Sequence, residues 1–114
     1  MNWADPLFIT SSLVGLTFLI AGLISKRYPA KEINDLYGYR TRRSRASQEA
    51  WDFAQEYSND LMLWIGSYNV LFSGIGLFIE TGYLGIILAM VFMGLTLWFL
   101  FSRTESELKT RFGD

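Results

Sequence analysis

Four arginines, Arg40, Arg42, Arg43 and Arg45, fall within six residues of the stretch NDLYGYRTRRSRASQEAWDFA, residues 34–54. A planar guanidinium can clamp a carboxylate or a phosphate through two parallel hydrogen bonds. Arg40 is the best placed for this, wedged in YGYRT between the turn residue Gly38 and the hydroxyl of Thr41. Its partner is either internal, with Asp35, Glu49 and Asp52 as candidates, or an outside ligand. Glu49 and Asp52 stand three apart on an expected helix and could chelate a metal, but the adjacent arginines favour an internal salt bridge. The chain has no histidine and no cysteine. The usual proton shuttle, triad base and zinc ligands are therefore missing, as is any disulfide. No metal, no cofactor and no enzyme activity is expected.

This polar segment lies inside an apolar chain. Of 114 residues, 51% are hydrophobic and 17% aromatic. Residues 7–25, 61–79 and 83–101 contain no Asp, Glu, Lys or Arg, whereas residues 26–60 hold seven basic and six acidic side chains. Each apolar run is long enough for a helix to cross a hydrocarbon core of about 30 Å. The first lacks the basic start and cleavage site of a signal peptide. Only ETG, residues 80–82, separates the second from the third, which makes them an antiparallel hairpin. The expected fold is one all-α membrane domain, residues 1–114, with three transmembrane helices and a motif segment at 26–60.

Basic residues set orientation. Lys26, Arg27, Lys31 and the arginine cluster follow the first span, and Arg103, Lys109 and Arg111 follow the third. The expected arrangement is a bacterial cytoplasmic (inner) membrane protein with its N-terminus outside and both the 26–60 segment and the C-terminus cytoplasmic. Arg42, Arg43 and Arg45 would then hold the loop inside and meet anionic headgroups at about 1 kcal/mol each. Trp3, Tyr28, Trp51, Tyr83 and Trp98 fall near span ends, as interfacial aromatics do.

Small residues recur at helical spacing: Thr17, Ala21 and Ser25, then the heptad pairs Gly15 and Gly22, Gly66 and Ser73, and Ser67 and Gly74, with Gly85 and Ala89 four apart. Such stripes let helices approach closely in lipid, either within one chain or in a homo-oligomer. No charge sits in mid-span, which weakens a coupled transporter. Asn69, beside Tyr68 and Ser67, is the most polar point at depth; an interhelical hydrogen bond or an ion path would use it.

In the motif segment, Pro29 should stop the first helix near Arg27, and Gly38 marks a turn. Ser44 or Ser47 offers an N-cap, with Glu49 in the first turn behind Ser47. From Gln48 the 3–4 spacing of Trp51, Ala54 and Leu61 describes an amphipathic helix that either lies in the interface or runs straight into the second span; the preferred reading is an interfacial helix with a bend near residues 58–60.

The pattern of Asn34, Tyr37, Gly38, Tyr39, Arg40, Thr41, Ser44, Ser47, Glu49, Trp51 and Ala54 resembles the signature of the SdpI family of small bacterial membrane proteins. The resemblance implies an integral membrane protein related to an immunity factor, whose namesake guards a cell against its own membrane-active toxin peptide and holds a repressor at the membrane. The implied partners are the lipid bilayer, a toxin-like peptide, or a cytoplasmic regulatory protein. Nucleic acid is not expected, because nearby acids bring the basic segment close to neutral. The alternative is a small oligomeric channel or transporter. On either reading, residues 34–51 are expected to fold as one unit with Arg40 at its centre.

Overall fold

The computed structural model describes residues 3–113, and all its regular elements are helices: α1 (Pro6–Arg27), α2 (Gln48–Ser73), the short α3 (Ile75–Phe78) and α4 (Tyr83–Phe112). Three stretches are long and apolar enough to cross a membrane: Pro6–Arg27, Gln48–Phe78 and Tyr83–Phe112. The bundle is 49 Å long, more than the roughly 30 Å of a hydrocarbon core, so polar ends protrude. At one end is the ETG turn; at the other, residues 28–47 fold over the helix ends.

Local chemistry sets the helix limits. Asp5 caps α1, accepting from the Leu7 amide at 3.0 Å, and Pro6 sits at the first helical position, where its missing N–H costs nothing. Lys26 and Arg27 occupy the last turn, which suits the helix dipole, and Pro29 lies two residues beyond the end. Ser47 caps α2, accepting from Ala50 N at 3.0 Å, with Glu49 in the first turn. Ser44 does something else: it is buried and joins Thr41 and Tyr39 in a local turn.

α2 corrects one expectation. It runs from Gln48 to Ser73 without a break, so no separate interfacial helix precedes the second span. Ser58 and Asn59, read as the bend, are buried inside the bundle instead. Trp51 is likewise not an interfacial aromatic. It is fully buried, and its Nε1–H donates to the Ala30 carbonyl at 2.6 Å. Trp51→Phe, which keeps the bulk and loses that bond, is expected to cost about 1 kcal/mol, read as a lower unfolding midpoint in detergent.

Gly15, Gly22, Gly66 and Gly85 pack within the chain. A Cβ on Gly15 would lie 2.6 Å from the Gly66 carbonyl oxygen, and one on Gly66 would lie 2.9 Å from that of Gly15, so α1 and α2 cross backbone to backbone. Gly22 faces Leu63, and Gly85 faces Leu7. At this depth Ser11 of α1 donates to the Asn69 carbonyl at 2.7 Å. The Asn69 amide donates to Thr96 of α4 at 3.1 Å. Asn69 is thus the interhelical bond its position called for, joining all three spans, although its Oδ1 is buried without a partner.

The ETG end is closed by Asp5. Beyond its cap, it accepts from Thr81 N at 2.8 Å and Thr81 Oγ1 at 2.7 Å. Burial alone would raise its pKa, but the hydrogen bonds from Thr81, Leu7 and Phe8 together outweigh that and hold it below the ordinary carboxylate value. A depressed folded pKa gives stability that is present above the unfolded value and lost as pH falls through the folded one. Asp5→Asn should therefore lower the unfolding midpoint at pH 7. The gap from wild type should close as the pH is taken below about 4.

Candidate functional site

Residues 34–55 and α4 build one polar cluster at the motif end. Gly38 takes φ +101, a turn conformation that glycine tolerates, and a Cβ there would meet Gln55 Oε1 at 2.5 Å. The turn lays Tyr39 against α2, where Gln55 brackets it. Oε1 accepts from the Tyr39 amide and Nε2 donates to the Tyr39 carbonyl, each at 2.7 Å. The Tyr39 ring then crosses to α4, stacking at a tilt on Phe101 with 5.5 Å between centroids.

The hub of the cluster is Glu105. Tyr39 OH donates to its Oε2 at 2.7 Å and Thr41 Oγ1 to the same oxygen at 2.8 Å. Arg43 Nη1 stands 3.5 Å from Oε1, a distance at which charge attraction outweighs the hydrogen bond. Burial, then the bond and charge of Glu105, push the Tyr39 phenol far above its ordinary pKa, so it remains a donor. A carboxylate accepting two hydroxyls and one guanidinium is a charge-assisted latch. It ties the loop after α1 to the far end of the third span.

The expected centre, Arg40, is displaced. It is exposed, and its Nη1 donates to the backbone carbonyl of Asp35, not to a carboxylate. The Asp35 carboxylate pairs with Arg45 at 3.1 Å, Asp52 accepts from Gln48 at 2.8 Å, and Glu49 is exposed. Arg43, assigned to topology with Arg42 and Arg45, turns inward to the latch; Arg42 stays exposed. Asn34 and Tyr37 shape the loop locally. Asn34 Oδ1 accepts from the amides of residues 36 and 37, and Tyr37 OH donates to the Tyr28 carbonyl at 2.7 Å. Among the described residues, no three acidic side chains gather to hold a metal.

Glu105 and Gln55 were missed in the sequence. The signal for Glu105 was present: Leu100, Thr104 and Leu108 recur every four residues and are all buried, so α4 continues past the span as an amphipathic helix. Below the latch, a groove of about 360 Å³ separates α2 from α4, walled by Trp64, Tyr68, Phe92 and Phe99. Trp64 and Tyr68 stack on its α2 side, and the Phe72–Phe92 stack, 4.2 Å between centroids, stands at its ETG end. Tyr68 is thus a half-exposed groove residue and does not share the buried position of Asn69.

A family model described as the SdpI/YfhL protein family matches residues 31–102. The chain belongs to that family. It is also 36% identical over 101 residues to the "Uncharacterized protein YfhL" of Bacillus subtilis (strain 168), covering 89% of this chain and 87% of that protein. No solved structure matches it significantly. The matched segment takes in this SdpI-family membrane protein's motif, its last two spans and the groove, and ends three residues before Glu105.

Proposed function

We propose that this SdpI-family protein guards its membrane by binding a membrane-active, amphipathic peptide in the groove between α2 and α4. The observation that carries the reading is that one helix serves both the groove and the latch. α4 supplies Phe92 and Phe99 to the groove wall and Glu105 to the latch. A helix seated on Trp64 and Phe92 would bury their apolar faces, and Trp64 is 62% exposed. It would also bear on the helix that holds the motif. Basic residues at the motif end support a reading in which this end is cytoplasmic and the N-terminus outside. The exposed Arg42 and the paired Arg45 there give a soluble regulatory partner something to read.

The test is survival. A sensitive bacterial strain expressing the protein is challenged with membrane-active peptides, beside the Leu95→Trp variant, which fills the groove away from the latch. Wild type should raise survival and bind the protective peptide at least about tenfold more tightly than the filled variant. No gain with any peptide, or equal binding by both proteins, sinks the reading.

A further inference from the structure

A second cavity, also of about 360 Å³, lies at the motif end, where α1, α2 and α4 meet beneath residues 38–40. Its lining is ordered along the bundle axis. Ser25, Asn59 and Arg40 stand on the motif side, while Ala21, Met62 and Leu97 lie about one helical turn deeper, inside the spans. Two observations point to a ligand. Arg40 is the one ionised side chain in the lining, which includes no carboxylate. Asn59 lies at the margin of the bundle and its side-chain amide opens into the same lining. An accessible amide beside a guanidinium presents several N–H donors to one acceptor anion.

We propose that this cavity seats the phosphate and glycerol of one anionic phospholipid from the leaflet at the motif end. Arg40 spends one N–H on the Asp35 carbonyl, which fixes the guanidinium and leaves the rest of its five donors for the phosphodiester. Asn59 offers its amide to the same group. Ala21, Met62 and Leu97 cover the start of the acyl chains. The polar-to-apolar order is that of a lipid standing in its leaflet, head at the surface and tails inward. A free phosphate would gain nothing from the apolar wall. A zwitterionic head would bring an ammonium to a site without a carboxylate. The proposal rests on this cavity and not on the peptide reading, which concerns the opposite groove.

The full chain is purified in mild detergent and offered phosphatidylglycerol, phosphatidylcholine or inorganic phosphate, with adducts counted by native mass spectrometry. The expected result is one retained phosphatidylglycerol, held about tenfold more tightly than phosphatidylcholine, and no comparable phosphate adduct. Arg40→Gln and Asn59→Leu should each lose the adduct by about the same factor, and Arg42→Gln, at an exposed arginine two residues on, should keep it. Equal retention of the two lipids, binding of phosphate alone, or an equal loss in Arg42→Gln overturns the proposal. If a polar variant fails to fold, Ala21→Leu decides: it fills the apolar end without touching a polar atom, and a retained adduct there counts against the site.

Discussion

Glu105→Ala should cost about 3 kcal/mol and release the motif from α4. The side chain accepts from Tyr39 and Thr41 and faces Arg43. Removing it strands a phenol in a buried setting and takes a carboxylate away from Arg43, and the loss of a charged acceptor is dearer than that of a neutral one. Two observables should move together. The unfolding midpoint in detergent should fall, and the amides of residues 39–44 should exchange hydrogen faster. Gln at this position keeps the shape and one acceptor, so Glu105→Gln should lose less. If Glu105→Ala leaves both observables unchanged, the latch does not hold the loop.

The second large effect concerns the crossing of α1 and α2. Gly66→Ala places a Cβ 2.9 Å from the Gly15 carbonyl oxygen and from the Leu19 amide nitrogen. Both contacts are backbone, so neither can swing aside, and the helices must separate. The expected cost is about 2–3 kcal/mol, even though alanine is the better helix former by about 1 kcal/mol. The Ser11–Asn69 bond, one turn along, should weaken with it. Gly94 supplies the control, since a Cβ there meets nothing within 4 Å. Gly94→Ala should be neutral or mildly stabilising. Equal behaviour of the two variants would mean that the crossing is looser than its geometry.

The spans were legible because lipid imposes a simple rule: about twenty apolar residues in a row, uninterrupted by charge. The stop at Arg27, the Ser47 cap and the turn at Gly38 were legible because each depends on its own few neighbours. Three other features depend on distant partners, and these were not. Asn59 and Asp60 read as the exit of a surface helix. Buried against α1 and α4, Asn59 lets α2 run on, because tertiary packing overrides a weak local preference. Trp51 looked like an interfacial anchor, and only the fold shows the Ala30 carbonyl waiting for its N–H. Arg40 was the most conspicuous cation in the motif, yet the acid that organises the segment stands 66 residues from Tyr39. Its own surroundings, SRTESELKTRF, carry enough charge to hide the four-residue repeat of Leu100, Thr104 and Leu108.

That long-range pair is also where the description of the motif as a latch on the third span can be tested most directly. Tyr39→Phe, Glu105→Met and the double variant form a cycle in which each change removes the shared hydrogen bond and keeps most of the bulk. Unfolding free energies in detergent should show a coupling of about 1 kcal/mol or more, the double variant losing less than the two single losses combined. Additivity within about 0.3–0.5 kcal/mol would show that Tyr39 and Glu105 act independently, and would contradict the latch.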